Sequence, residues 1–316
     1  MADGKWIDGL DADMPLVEAA RKVLLARLQV IRNYLPKAMS EADSDTEYVH
    51  QLRVGTRRAD AALRIFEPCL PEKVWRQARR RLRGIRRAAG AARDLDVFAI
   101  HLLERQQRQP AREQPGLDYL LGHTLGQRAS AQTELVAAGQ CNAHDFDDFL
   151  RDLVVAVCPP PDGSAAATLI VLARPLLSNL LHALEEKAAG DLTDYPHLHE
   201  VRIAGKRLRY AMEVFADCFC PAFRQTMYPM IEEMQEILGL ANDSYVAAGR
   251  LRDQRTYLRT AWPEPWKRLG PGIDAAFQFH QKRLPIERRR FVRWWKRWQS
   301  NGAVQMQECM EAAAVV

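Results

Sequence analysis

The 316-residue chain lacks several features that would assign it to a common class of protein. It has no run of roughly eighteen apolar residues, so we expect no membrane span. Its first residues, Met-Ala-Asp-Gly-Lys-Trp, are not a basic region followed by an apolar run, so no secretory signal is predicted. The six cysteines form no C-x-x-C pair and no zinc-ligand spacing. We therefore expect reduced thiols and a cytoplasmic location.

Sequence motifs that carry catalysis are also missing. There is no G-x-x-x-x-G-K-[ST] loop, no G-x-G-x-x-G turn and no H-E-x-x-H helix. No carboxylate cluster suited to magnesium is evident. Alternating β-branched runs bounded by turns are absent, so no sheet is predicted. The expectation is an all-α protein that has no catalytic residues, no cofactor and no metal.

The chain does contain an internal sequence repeat, whose two copies are 149 residues apart. The first copy is His50-Gln-Leu-Arg53-Val-Gly-Thr-Arg57-Arg58, and the second is His199-Glu-Val-Arg202-Ile-Ala-Gly-Lys206-Arg207. The same offset aligns Gly90 with Gly239 and Asp94 with Asp243. An ungapped repeat of this length predicts two similar structural halves.

The repeat and the turn residues predict the organisation of the chain. We expect an N-terminal extension (1–14), a first helical bundle (15–157), a proline-rich linker (158–164), a second bundle (165–300) and a C-terminal tail (301–316). Predicted helices of the first bundle cover 16–35, 46–66, 71–89, 93–107, 117–138 and 145–157. Those of the second cover 165–187, 196–218, 221–238, 241–259, 265–284 and 286–298. The paired glycines are interpreted as helix ends or close packing points, and the paired aspartates as N-caps or as partners that orient an arginine.

Each repeated helix has an apolar face and a basic face. At 100° per residue, Val49, Leu52, Thr56, Ala59, Leu63 and Phe66 form one stripe, while His50, Arg53, Arg57 and Arg64 lie opposite. In the second copy the apolar stripe is Leu198, Val201, Leu208, Met212 and Phe215, and His199, Arg202 and Lys206 take the basic positions. The helix predicted at 71–89 repeats this design, with a buried seam from Trp75 to Ala89 and a basic stripe of Arg76, Arg80, Arg83 and Arg87.

Basic charge is concentrated far more than the net charge of +5 indicates. Residues 50–93 hold thirteen Lys or Arg and three acids, residues 199–242 hold five and six, and residues 282–298 hold eight and one. Arginine binds phosphate oxygens through two parallel hydrogen bonds, so this pattern favours a polyanionic partner. Because the first half is the more basic, we predict that Arg53→Ala or Arg57→Ala weakens binding more than Arg202→Ala.

With its paired H-x-x-R-[VI]-x-x-[RK]-R helices and Gly-x-x-x-Asp-x-x-Val segments, the chain resembles the CHAD domain family, named for a histidine α-helical domain. The resemblance covers residues 15–298. It implies two four-helix bundles related by pseudo-twofold symmetry around a basic channel that binds inorganic polyphosphate, often with association to polyphosphate granules. Our leading hypothesis is that this binding is non-enzymatic. By motif position the resemblance points to His50, Arg53, Arg57, Arg58, His199, Arg202, Lys206 and Arg207.

The charge pattern and one departure from the family complete the predicted site. Arg64, Arg76, Arg80, Arg83 and Arg87 are added from the basic stripes. Family members often have a further arginine where this chain has Asp60, and Arg209 fills the equivalent place in the second copy. We expect the Asp60 carboxylate to pair with Arg57 or Arg64.

Two other functions and one structural alternative stay open. A phosphohydrolase or phosphotransferase would use His50 or His199 as acid or nucleophile, although either histidine could instead cap a helix or fill a gap between helices. A nucleic-acid-binding protein would use the arginine stripe and the segment 282–298, where tryptophans alternate with basic residues. In that segment we expect the tryptophans to pack on the bundle and the cations to reach solvent.

Overall fold

The computed structural model describes residues 4–107, 110–161 and 167–312, and almost all of them are helical. The helices are α1 (Leu16–Ser40), α2 (Glu47–Ile65), α3 (Glu72–Gln106), α4 (Gln114–Ala143), α5 (Phe146–Val155), α6 (Leu169–Ala188), α7 (Tyr195–Phe215), α8 (Tyr228–Ala261), α9 (Pro263–Arg297) and α10 (Ala303–Glu311). Over these ranges the backbone forms no strand, only an isolated bridge between Pro15 and Thr168. The all-α prediction is confirmed, whereas the pseudo-twofold relation and its offset stay predictions.

The apolar faces read from the sequence are the faces that pack. On α2, Val49, Leu52 and Leu63 are completely buried, and on α7 so are Val201, Leu208 and Phe215. Burying each such side chain stabilises the fold by roughly 1.5–3 kcal/mol. Since one side of each helix is fixed against the core, the basic side of α2 and of α7 must point away from it.

The predicted helix breaks at Gly90 and Gly239 are wrong. α3 runs unbroken through Gly90, and α8 runs unbroken through Gly239. A glycine inside a helix costs only about 1 kcal/mol relative to alanine, which the burial of apolar residues on both sides of it offsets. Asp94 and Asp243 consequently lie within helices and are not N-caps. The two helices predicted between 265 and 298 are likewise one helix, α9, with Pro271 and Pro285 inside it.

The two halves of the chain share a core. A small cluster at one end of the molecule joins Phe98 and Leu117 of the first half to Leu251, Ile273 and Phe277 of the second. There α4 and α9 approach so closely that a Cβ on Gly116 would lie 2.2 Å from the Leu269 carbonyl oxygen. Only glycine permits this backbone contact between α4 and α9.

Described residues on either side of the main helices pack into the core. Ile7, Leu10 and Met14 of the predicted extension are buried, and so are Met306 and Met310 of α10 in the predicted tail. The predicted boundaries between extension, bundles, linker and tail stay predictions. Within the predicted linker, residues 158–161 are not helical; residues 162–166, like 1–3 and 313–316, lie outside the described residues. The helices of the described ranges include none that is both long and apolar enough to cross a membrane.

Candidate polyanion-binding site

Two adjoining cavities lie where α2 and α3 of the first half face the second half. The wide compartment, of about 700 Å³, is lined by α2, α3, α6 and α7, and the narrow compartment, of about 550 Å³, by α2, α3, α7 and α8. Arg53, Arg57, Asp94, His199 and Arg202 line both. Together the two linings hold eleven Lys or Arg and three acidic residues, so the cavity is strongly basic.

Four basic residues at the junction form a group that we call the central cluster: Arg53 and Arg57 on α2, and Arg202 and Lys206 on α7. Among the described residues, no carboxylate lies within ion-pair distance of Arg57, Arg202 or Lys206, although the charge of Asp243 acts on Arg202 and that of Asp94 acts on Arg57 from farther away. Burial, together with the neighbouring positive charges of Arg57, Arg202 and Arg53, lowers the pKa of Lys206 to about 5. Burial and the charge of Arg53 lower the pKa of Arg57 to about 10. The cluster is therefore short of negative charge.

Arg53 is the member of the cluster that has an acidic partner. Its guanidinium donates to the Asp94 carboxylate and, at 3.4 Å, to the Gly90 carbonyl oxygen, both on α3. From the second half, Arg250 donates to the Asp94 carbonyl oxygen at 3.2 Å. The interpretation of Asp94 as a partner that orients an arginine is confirmed. The close packing expected at the paired glycines is not found, since a Cβ on Gly90 would make only an ordinary contact, 4.0 Å from the Arg53 guanidinium, and a Cβ on Gly239 would meet nothing within 4 Å.

The paired histidines both reach the cavity. His50 lines the narrow compartment, where burial and the charge of Arg93 lower its pKa. His199 lines both compartments, and burial and the charge of Arg202 lower its pKa. Its Nδ1 lies 3.1 Å from the Asn242 Oδ1. Because that oxygen can only accept, Nδ1–H donates, which leaves Nε2 of the neutral ring as an acceptor that becomes a donor on protonation.

Further arginines line the wide compartment beyond the central cluster: Arg64, Arg83, Arg86, Arg87 and Arg207. Asp60 pairs with Arg64, as expected, and also with Arg79 and Arg86, but not with Arg57. Burial alone would raise the pKa of Asp60, but the Arg79 hydrogen bond and the surrounding guanidinium charges lower it. Asp60 therefore neutralises part of the positive charge of the wide compartment but forms no ion pair with the central cluster.

Four of the fourteen predicted site residues do not line the cavity. Arg58 is buried against Glu213 of α7, with its Nε 2.7 Å from Oε2. Arg209 lies 3.8 Å from the same carboxylate and 3.5 Å from Glu232. Arg76 and Arg80 are exposed on α3, and Arg76 pairs with Glu72. The predicted roles of these four residues in the cavity are not supported by their positions.

Comparison with known proteins identifies the family. The model of the CHAD domain family matches residues 22–252, nearly three quarters of the chain. The protein belongs to the CHAD family. A crystal structure of the CHAD domain from the plant Ricinus communis is 24% identical, with a TM-score of 0.67 over 89% of this chain and 91% of that one. PptA from Streptomyces chartreusis is 18% identical, with a TM-score of 0.69 over 89% of this chain and 99% of that one. No curated protein sequence matches.

The CHAD-family match contains the whole cavity lining and leaves out α9 and α10. It also contains lining residues that the sequence prediction missed, namely Arg86, Arg93, His101 and Arg250. One signal could have found two of them, since His101 and Arg250 are separated by the same 149 residues as the paired histidines. Arg86 and Arg93 give no such signal, because the positions 149 residues later hold Gln235 and Asn242.

The tryptophan-rich segment of α9 lies outside the cavity. Trp294 is 2% exposed and Trp298 is fully buried, and their rings stack on each other with centroids 5.4 Å apart. The expectation that these tryptophans pack on the bundle is confirmed. Base stacking by them is therefore not possible in this conformation.

The described residues of this CHAD protein contain no group of three or more His, Cys, Asp or Glu placed to hold a metal ion. All six cysteines are free.

Proposed function

We propose that the protein binds inorganic polyphosphate in the cavity between its two halves, without turning it over. The observation that carries this proposal is the central cluster. Arg57 and Arg202 are half-buried and form no ion pair in the described chain, and burial together with their charges lowers the pKa of Lys206 beside them. Arg53, the fourth member, pairs with the exposed Asp94. Buried charges of one sign are unfavourable unless a counter-charge arrives. A linear polymer with about one negative charge per phosphate supplies it along the whole cavity.

Two geometric features favour a polymer over a single small anion. The wide and narrow compartments adjoin, so a ligand bound at the central cluster can extend in two directions. Arginines continue along the wide compartment, where each guanidinium can hold phosphate oxygens through two hydrogen bonds. As part of the proposal, we expect the protein to act in the cytoplasm and to associate with polyphosphate granules.

The direct test is titration of the protein with long-chain polyphosphate. Arg57→Ala removes a half-buried charge-assisted donor, worth about 1.5–3 kcal/mol, so affinity should fall roughly ten- to a hundredfold. Arg76→Ala is the matched control, because it removes the same charge from α3 outside the cavity and should change affinity less than about twofold. Equal losses in the two variants would show that only net charge matters.

The predicted asymmetry between halves is tested in the same titration. The cavity lining contains seven arginines from the first half and four basic residues from the second. We expect Arg57→Ala to weaken binding more than Arg202→Ala, and equal losses would contradict the asymmetry.

The rival functions have their own readouts. If the protein releases phosphate from polyphosphate and His50→Ala abolishes that release, the protein is an enzyme. Displacement of polyphosphate by duplex DNA or RNA at equal phosphate concentration would remove the specificity that we propose.

A further inference from the structure

One exposed face of α9 carries a basic stripe that is separate from the cavity. Lys282, Arg289, Arg293 and Lys296 are all exposed and, at 100° per residue, lie within roughly a quarter turn of one another. They span about 21 Å of helix at 1.5 Å per residue. We call these four residues the α9 stripe; none of them lines either compartment.

The α9 stripe lacks the acidic residues that accompany an ordinary solvated helix face. Among the described residues, none of its four cations forms an ion pair with an acid. The one acid between 282 and 298, Glu287, is buried and paired with Arg283 and Arg290. Like charges three or four residues apart destabilise a helix by a few tenths of a kcal/mol per pair. The helix tolerates this because Phe291, Trp294 and Trp298 anchor its opposite face in the core.

The chemistry of the stripe fits a phosphate polymer rather than nucleobases. Recognition of single-stranded nucleic acid relies on aromatic side chains that stack on bases. The aromatic residues between 282 and 298 are buried, so the exposed face of this segment presents the four cations and one apolar side chain, Ile286, but no ring on which a base could stack. All four cations can contact a ligand made of phosphates.

We propose that the α9 stripe is a second contact site for the same polyphosphate chain that occupies the cavity. This inference rests on the proposed function. None of the four residues lines either compartment, so a chain that contacts both sites must extend beyond the cavity, which a long polymer can do more readily than a short one. Once one site is occupied, the other meets its ligand at a high effective concentration, and affinity increases without a change at either site. The stripe therefore makes the protein selective for long chains.

The experiment compares short polyphosphate, of about ten phosphates, with polyphosphate of several hundred phosphates. The test variant carries Arg289→Gln, Arg293→Gln and Lys296→Gln, because glutamine preserves helix propensity. The control carries Arg32→Gln, Arg76→Gln and Arg151→Gln, which removes the same charge from three exposed arginines that each pair with an acid. Circular dichroism and thermal melting confirm that both fold.

The expected result is a loss of about tenfold or more for long chains in the α9 variant, with a change of less than about twofold for short chains. The control should change neither. An unchanged long-chain affinity in the α9 variant, or equal losses in the α9 and control variants, would overturn the inference. So would loss of duplex DNA binding in the α9 variant without loss of long-chain polyphosphate binding.

Failure of the proposed function has a different signature. If short polyphosphate does not bind the wild-type protein, or binds Arg57→Ala equally well, the cavity is not the site. If short chains bind and Arg57→Ala weakens them while the α9 variant matches wild type on long chains, only the second contact fails.

Discussion

Binding of polyphosphate should take up a proton at Lys206. In the free protein, burial and the charges of Arg57, Arg202 and Arg53 lower the pKa of this amine to about 5. At pH 7 only about one molecule in a hundred would carry the proton. Phosphate oxygens in the cavity stabilise the ammonium form and raise its pKa towards the ordinary value. Each binding event at pH 7 should therefore consume about one proton from solution at this site.

The sign of the pH dependence follows from that uptake. Because the complex favours the protonated amine, raising the pH opposes binding. Affinity should fall by up to about tenfold per pH unit between pH 5 and the pKa that Lys206 has in the complex. Burial and neighbouring positive charges also lower the pKa values of His50 and His199, so these histidines add to the uptake when bound phosphate raises those values. Around pH 8.5 the histidine contribution is small, and that of Lys206 dominates.

Isothermal titration calorimetry in buffers of different ionisation enthalpy measures the number of protons taken up. At pH 8.5 we expect about one for the wild-type protein and close to none for Lys206→Met. Lys206→Arg should bind with little proton uptake, since arginine keeps its charge. Proton uptake that Lys206→Met leaves unchanged, or wild-type affinity that is constant from pH 6 to 9, would refute the reasoning.

Two further predictions concern acidic residues beside the site. Asp94→Asn removes the acidic partner of Arg53, so the Arg53 guanidinium becomes available to the ligand. Because Asp94 is 46% exposed, the gain in binding free energy is limited to about 1 kcal/mol, and polyphosphate should bind up to about fivefold more tightly in a titration. Weaker binding would contradict the idea that Asp94 competes with the ligand. Glu213→Gln removes the buried negative charge that Arg27 and Arg58 share, and it should lower the free energy of unfolding by about 3–5 kcal/mol in urea denaturation. Glu72→Gln breaks an exposed pair and should change the free energy of unfolding by less than about 1 kcal/mol. Similar losses in the two variants would argue against a structural role of the buried pair.

Local patterns in the sequence predicted the helices and their buried faces because both depend on neighbouring residues. The spacing of Val49, Leu52 and Leu63 sets which face of α2 is buried, wherever that helix lies in the fold. Helix ends were predicted less well. Gly90 and Gly239 disfavour a helix locally, but the cores on either side of each glycine maintain α3 and α8. The sequence did not predict that residues 4–14 pack on the helices, because this segment is not helical and so has no periodic apolar pattern. Individual side chains such as Ile7 and Leu10 hold it in place.

The basic side of α2 was predictable from the sequence, but the role of each cation on it was not. Arg57 and Arg58 are adjacent in the chain and point about 100° apart on the helix. Arg57 lines the cavity, whereas Arg58 is buried against Glu213, which lies 155 residues away on α7. The position of that partner depends on how α2 and α7 cross, and no local pattern encodes the crossing.

Arg207 shows the same point from the second copy. It occupies the motif position of Arg58 but is exposed and lines the wide compartment. The residue that is 149 positions before Glu213 is Arg64, so the buried carboxylate exists on one side of the crossing only. The pair of Arg58 with Glu213 joins α2 to α7 beside Arg57 and Lys206, two members of the central cluster. Of two identical arginine positions in the repeat, one therefore holds the helices together, and the other is available to the ligand.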